Sequence, residues 1–326
     1  MARRVVLLAS GGGHTGHAVA LGQRLKGKAE LLFIVPKGDR WSARKVSKLG
    51  KVMEIVKARG PKDPYYVFLP RFIGAYFESI LKLLTKCEGY EVIVSGGSNH
   101  SVPPSMVGKK IMGMKLVSIE SSVRFTRPSG TAKLLERHAD ITVLQWPEQK
   151  RILPKGEYFG PLIEYPEYPI RNEGYVLVTG GTYGHKELFE AIAELGLKDV
   201  VLQTGRVDPE PYRRRFPGWV VFRYDPDFSR WLAGADVVVT HLGKTVIDAA
   251  LAYRKPTVIV YNPEWRKSSS VGVTDALALA KKLNAVLVLN PKPKILMKAI
   301  EEARLRKPPK YPDGAERLAR KILNEL

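Results

Sequence analysis

The chain carries one cysteine, Cys87, in 326 residues. An intramolecular disulfide is therefore impossible, the common cysteine-rich zinc sites are excluded, and a single thiol fits a reducing interior. No apolar run reaches the length of a membrane-spanning helix. The first strand starts within four residues of Met1, so a cleavable signal peptide is not expected and a cytoplasmic location is. Acidic residues are scarce beside basic ones: 32 Asp+Glu meet 53 Lys+Arg, a formal net charge of +21. Residues 1–150 hold 25 Lys+Arg against 11 Asp+Glu (net +14), and the remainder holds 28 against 21 (net +7). Nucleic acid, an anionic membrane surface and phosphorylated substrates each match such a surface. Lysine-rich surfaces also accompany thermophily.

What is present is an alternation of short apolar strands with helical stretches, the pattern of parallel sheets covered on both faces. The length favours two domains. The first half reads as strands at Val5–Ala9, Glu30–Val35, Glu91–Ser95, Lys115–Ile119 and Ile141–Leu144. The second restarts with Tyr175–Thr179, Val200–Gln203, Val220–Phe222, Val237–Thr240, Thr257–Val260 and Val286–Leu289. Between them lies the proline-rich stretch Gly160–Pro169, read as a linker. The expected domains are 1–163 and 174–310, joined by 164–173, with a final helix in 311–326 packing back on the first domain. Both halves repeat strand, glycine-rich turn, helix, so the fold class is α/β. Two Rossmann-like domains should face each other across a cleft, with ligands at the strand C-terminal ends.

The junction of Val5–Ala9 with Ser10-Gly-Gly-Gly-His-Thr-Gly-His17 bears the most chemistry. A strand that breaks at glycines and restarts as a helix leaves backbone N–H groups to cradle phosphate, aided by the helix dipole. His14 sits where that cradle, with Gly12 and Gly13, meets its guest, which suggests proton transfer beside an anion. Gly11, Gly13 and Gly16 also satisfy the dinucleotide spacing, but the next strand ends Ile34-Val-Pro-Lys37 with no acidic residue for a ribose. An NADP enzyme using Lys37, and a turn that only permits close packing, stay open. A second turn, Ser95-Gly-Gly-Ser-Asn-His-Ser101, adds Gly97, Ser98 and Asn99 to the same domain. Two such turns suit a diphosphate. Glu120, at the end of the following strand, either orients a sugar hydroxyl and assists a base or pairs with Arg124 or Arg127.

Together these strings resemble a known family. Gly-Gly-His at 12–14, the Ser-Gly-Gly-Ser turn, Ile119-Glu-Ser121 and Ala139–Trp146 resemble the membrane-side subunit of the eukaryotic UDP-N-acetylglucosamine transferase. That enzyme extends dolichol-diphosphate-N-acetylglucosamine. Residues 174–290 resemble its donor-binding partner, through Val178-Thr-Gly-Gly-Thr182, Gln203-Thr-Gly205, Ala235–His241 and Lys255–Val260. Both parts lie on one chain, as in bacterial MurG, which is similar throughout. The resemblance implies a GT-B glycosyltransferase, with a lipid-diphosphate-linked acceptor on the first domain and a UDP-sugar on the second. His14 then becomes the general base, with Glu120 as assistant. Gly180, Gly181 and Thr182, with His241, Gly243, Lys244 and Thr245, would hold the leaving diphosphate without a metal or other cofactor. Tyr224 and Asp225 match the segment whose backbone reads uracil, so Asp225-Pro-Asp227 is not read as a metal site. His17 is expected to pack or to face solvent.

The donor loop departs from the family pattern His-x-Gly-x-Gly-Thr. Here His241-Leu-Gly-Lys-Thr245 is one residue shorter, and the following carboxylate is Asp248 rather than glutamate. Asp248 is expected on the ribose, with Lys244 compensating at the diphosphate. The family's glutamine near the next helix is replaced by Val273, Thr274 and Asp275.

In Arg71–Leu84, residues 72, 73, 76, 77, 80, 81 and 84 form one apolar helical face, with Tyr65–Leu69 before it and Arg71, Lys82 and Lys86 around it. Such a helix either faces the core or lies in a lipid headgroup region. The reading adopted is a peripheral enzyme on the cytoplasmic face of the cell membrane, touching anionic lipid and no nucleic acid. It moves N-acetylglucosamine onto a polyprenyl- or dolichyl-diphosphate-linked N-acetylglucosamine in lipid-linked oligosaccharide assembly. A UDP-sugar epimerase or hydrolase of the same fold, and a non-catalytic nucleotide-sugar-binding scaffold, are the alternatives.

Overall fold

The computed structural model describes residues 2–58, 64–264 and 271–326. It divides into two compact units, residues 1–164 with 312–326 and residues 165–311. In unit 1 the strands are Arg3–Leu8 (β1), Ala29–Pro36 (β2), Lys51–Ile55 (β3), Val92–Ser95 (β4), Lys115–Ile119 (β5), Ile141–Leu144 (β6) and Glu157–Tyr158 (β7). Its helices include Gly12–Leu25 (α1), Arg40–Val46 (α2), Tyr65–Lys86 (α3), Val102–Lys110 (α4) and Gly130–Leu135 (α5). In unit 2 they are Val176–Thr179 (β8), Val200–Gln203 (β9), Val220–Phe222 (β10), Val237–His241 (β11), Thr257–Val260 (β12) and Val286–Val288 (β13).

Among the described residues the first sheet runs β3-β2-β1-β4-β5-β6-β7 and the second β10-β9-β8-β11-β12-β13, with all pairings parallel. Each is a Rossmann-like order whose direction reverses between two neighbouring strands, β1 and β4 in one unit, β8 and β11 in the other. All eleven strands read from the sequence are present. The two additions, β3 and β7, lie at sheet edges, where β3 alternates exposed Lys51 and Glu54 with buried Met53 and Ile55, and β7 has two residues.

The period of two decides which face each apolar side chain covers. Val5, Leu7, Leu31, Phe33, Val92, Val94, Val117 and Ile119 meet α1 and the C-terminal helix Gly314–Glu325. Val6, Leu8, Leu32, Ile34, Ile93 and Leu116 face the other way, toward Leu83 of α3, Val107 of α4 and Leu135 of α5. Nearly continuous apolar strands are what a sheet buried on both faces requires. The expected linker 164–173 contains no helix or strand, and residues 165–173 count with unit 2.

The C-terminal helix belongs to unit 1. Asp313 caps it through the Glu316 amide (3.0 Å) and pairs with Arg24 of α1 (2.7 Å), whose side chain is buried. Ala315, Leu318, Ala319 and Ile322 enter the core beside α1. Its first residue must be glycine, because a Cβ on Gly314 would run into the Gly160 carbonyl. Gly314→Ala is expected to destabilise unit 1 by about 1–3 kcal/mol, the usual range for forcing atoms into a packed site. Calorimetry checks this, and an unchanged Tm would show that the helix start shifts at no cost.

His100 and His185 are buried, and burial holds each at about 4, against 6.5 for a free imidazole. Between those values the unfolded chain binds protons that the folded chain refuses, so stability falls as pH drops from 6.5 toward 4. Melting temperatures should decline across that window, and His185→Gln should flatten the decline.

Candidate active site

Two glycine turns meet at the switch point of the first sheet. Leu8 of β1 and Ser95 of β4 are register partners, so the segments that follow them emerge side by side. The first turn places Gly11 at φ 56° and Gly12 at φ 52°, a left-handed backbone that other residues adopt only at a cost. The Gly11 amide donates to Ser42 Oγ (3.0 Å), and Ser42 donates in turn to Asp39 (2.7 Å), which ties the turn to the start of α2. The start of α1 has no side-chain cap and no acidic residue in its first turn, which suits an anionic guest.

The second turn crowds against the first. A Cβ on Gly96 would lie 2.7 Å from the Leu8 carbonyl and 3.0 Å from that of His14; one on Gly97, at φ 93°, would lie 2.8 Å from the Ile119 carbonyl. Glycine is what lets the two turns touch. His14 Nδ1 lies 2.8 Å from the Gly96 carbonyl. A carbonyl only accepts, so Nδ1 carries the hydrogen and Nε2 keeps its lone pair, with no hydrogen bond of its own among the described residues. Burial lowers the His14 pKa below the ordinary histidine value; the Gly96 bond raises it, and Arg124 and Lys57 add to the lowering. The half-buried ring is thus neutral at neutral pH and has the state of a base. Ser98 is half-buried and accepts from Ser101 through its carbonyl, while Asn99 is exposed and meets Thr131 at 3.4 Å.

Glu120 has a different setting. It is fully buried, and its two oxygens accept from the Ser121 amide (2.6 Å) and the Ser129 amide (2.7 Å). Burial raises its pKa, while these amides and Arg124 act the other way. The carboxylate is spent on the loop 121–129. Sequence reading passed over two buried amides close by. Gln149 accepts from the backbone of Gln145 and Trp146 and donates to the Ser121 and Arg124 carbonyls; Gln145 donates to the Glu120 carbonyl. The signal was Gln145, a polar residue set directly after the apolar strand β6, while Gln149 lies in the 3-10 turn Pro147–Arg151 that follows; buried polar groups of this kind are satisfied by partners.

Unit 2 repeats the plan at its own switch point, where Thr179 of β8 pairs in register with Thr240 of β11. The Gly181 amide donates to Thr179 Oγ1 (3.0 Å), and Tyr224 donates to the Thr182 carbonyl (3.1 Å), which pins the Gly180–Thr182 turn. The His241 ring lies on both glycines: a Cβ on Gly181 would sit 3.0 Å from its Nε2, and one on Gly243, 2.9 Å. Burial holds His241 at about 4, with His185 adding to the shift.

Gly243 opens the short helix Lys244–Ile247, and a π turn, Asp248–Ala252, follows. Thr245 is half-buried on that first turn. Lys244 and Asp248, expected on diphosphate and ribose, form an ion pair with each other, and both side chains are largely buried. Asp225 accepts from Trp231 Nε1 (2.8 Å), Arg230 (3.0 Å) and the Asp227 amide (2.8 Å), so its carboxylate closes a local turn. Asp275 is buried and caps its helix through the Gly272 amide (2.9 Å).

Two families match, end to end along the chain. Residues 4–162 match "Oligosaccharide biosynthesis protein Alg14 like" and residues 175–324 match "Glycosyltransferase family 28 C-terminal domain". The chain is 25% identical over 300 residues to a UDP-N-acetylglucosamine--N-acetylmuramyl-(pentapeptide) pyrophosphoryl-undecaprenol N-acetylglucosamine transferase of Caldicellulosiruptor saccharolyticus, covering 79% of this chain and 78% of that one. It is 27% identical over 170 residues to the UDP-N-acetylglucosamine transferase subunit ALG14 of Candida albicans, covering 48% of this chain and 77% of that subunit. Acinetobacter baumannii MurG shares the fold at a TM-score of 0.64 and 16% identity, covering 99% of this chain and all of that one. With two Rossmann-like units, each bearing a glycine-turn site at its switch point, the chain is a GT-B glycosyltransferase that resembles a single-chain fusion of the two subunits of the eukaryotic UDP-N-acetylglucosamine transferase and is also similar to MurG.

Proposed function

We propose that the protein is an inverting, metal-independent transferase that moves N-acetylglucosamine from UDP to a lipid-diphosphate-linked N-acetylglucosamine, forming a β-1,4 bond. The observation that carries this reading is His14, held by the Gly96 carbonyl with its Nε2 lone pair available between two phosphate-friendly turns. The Alg14-like match over the acceptor half supports a polyprenyl- or dolichyl-diphosphate sugar of the oligosaccharide type. In the step, the acceptor 4-hydroxyl oxygen forms a bond to the donor anomeric carbon as the bond from that carbon to the β-phosphate oxygen breaks. His14 Nε2 takes the hydroxyl proton. UDP departs as an anion, received by the Gly180–Thr182 turn and the first turn at Gly243–Thr245. Lys244 exchanges Asp248 for the diphosphate, and Asp248 is then released to the ribose. Tyr224 and Asp225 shape the uracil end. Glu120 serves by holding the loop 121–129 rather than by moving a proton.

Helix α3 supports a membrane-bound acceptor. Its inner face, Ala75, Ser79 and Leu83, is buried, while Tyr66, Leu69, Ile73, Phe77, Leu81 and Leu84 form a second apolar stripe that is exposed. Phe77 and Leu81 are 67% and 65% exposed. A contiguous exposed stripe of this kind marks an interaction surface, and a basic unit beside it matches anionic lipid. Among the described residues no helix is long and apolar enough to cross a membrane.

The deciding assay mixes the protein with a panel of UDP-sugars and synthetic lipid-diphosphate-N-acetylglucosamine in EDTA, with mass-spectrometric readout. A lipid product heavier by one N-acetylhexosamine is expected. A changed sugar without acceptor would indicate an epimerase, and bound donor with no product under any acceptor would indicate a scaffold. His14→Ala should lower kcat by about 10²–10⁴, the usual worth of general-base catalysis, while UDP-sugar binding persists. The wild-type rate should fall on the acid side, as Nε2 is protonated, at a pH below the ordinary histidine value. Phe77→Glu with Leu81→Glu should weaken co-sedimentation with anionic vesicles about tenfold or more, leaving Tm and UDP binding unchanged.

A further inference from the structure

The Gly96 carbonyl receives two histidines, not one. His14 Nδ1 is 2.8 Å away and His17 Nδ1 3.3 Å, and the two rings stand 6.4 Å apart at 77° on successive residues of one α1 face. His17 is 2% exposed, so its ring is held inside the unit. Its tautomer follows from Gln145. The Leu162 amide donates to Gln145 Oε1 (3.0 Å), which makes Nε2 the donor end of that amide. That Nε2 donates to the Glu120 carbonyl (2.7 Å) and faces His17 Nε2 at 3.2 Å. A donor facing Nε2 requires a lone pair there, so His17 carries its hydrogen on Nδ1 and donates it to Gly96. A second proton on His17 would set N–H against N–H at the Gln145 contact in a buried site.

We propose that His17 is a positioning residue for the transfer step. With Gln145 setting its tautomer, it anchors the Gly96 carbonyl where that oxygen keeps His14 in its Nδ1–H form and leaves the His14 Nε2 lone pair to the substrate. The carbonyl has two lone pairs and can serve both rings at once. The link is spatial, since Gly96 is 82 residues from His14, and Gln145 is 128 from His17. This inference rests on His14 acting as base, but the state of its ring can be observed without turnover.

Protein labelled with ¹⁵N-histidine would be studied by long-range ¹H–¹⁵N spectroscopy, which reports the tautomer of each imidazole. In the wild type, His14 and His17 should both be Nδ1–H at neutral pH; an Nε2–H form of His17 would overturn the proposal directly. Two variants separate the terms. His17→Asn places an amide nitrogen near the former Nδ1 and keeps a donor to Gly96, whereas His17→Leu removes it. His17→Leu should populate the Nε2–H form of His14 and lower kcat about tenfold or more, with KM for the UDP-sugar unchanged. His17→Asn should restore most of both. Folded His17→Leu with an unaltered His14 tautomer and kcat would overturn the proposal, as would equal loss in the two variants. A tautomer change in a protein that transfers no sugar to any acceptor would overturn the transferase reading alone and leave the His17 anchor standing.

Discussion

The contact between the Gly96 carbonyl and His14 is the constraint around which unit 1 is arranged. It requires two turns, from strands adjacent in the sheet but distant in the chain, to approach until no Cβ fits between them. The sheet order makes that approach possible, because the chain winds outward in opposite directions from β1 and β4 and leaves their C-terminal ends uncovered. The carbonyl then converts an ordinary histidine into one of fixed tautomer. Burial and neighbouring cations keep that histidine neutral, so the geometry and the electrostatics favour the same chemical state.

Unit 2 uses the same topology with different side chains at its switch point. Its switch point has two turns padded by the half-buried His241 ring, and Lys244 ion-paired with Asp248 in the place expected for ribose and diphosphate contacts. Lys244 and Asp248 neutralise each other where a buried charge alone would be costly. A donor that binds both must replace that attraction with its own. The shortened loop therefore differs in more than length: it carries a side-chain cation, Lys244, held by Asp248. Asp225 and Asp275 are also engaged, the first in a turn and the second in a cap.

Helix α3 shows how one periodicity carries two meanings. Its apolar positions read as a single face because large side chains dominate any sequence average. In the fold, the inward face is built partly from small residues, Ala75 and Ser79, which let the helix sit close to the sheet, while large rings and branched chains point outward. The apolar positions that the sequence groups together therefore divide between the core and the exposed side of the same helix. The two edge strands of the first sheet have no clear signal: β3 mixes charge with apolar residues because one side is solvated, and β7 is too short to have a pattern.

The sequence by itself determined the parallel α/β class, the two repeats, eleven of the thirteen strands described and the glycine turns with His14 at the first of them. These are local: strand period, glycine at left-handed backbone and the helix that follows are each written within about ten residues. Only the tertiary structure decided what each polar group touches. It enclosed Glu120 between two amides, closed Lys244 on Asp248, tied the C-terminal helix to α1 and brought Gln145 and His17 together. The physical reason is that a polar side chain takes its role from partners that chain folding supplies, and most of those partners lie far away in sequence. Periodicity records which side of an element is buried, and carries no record of which distant donor or acceptor waits there.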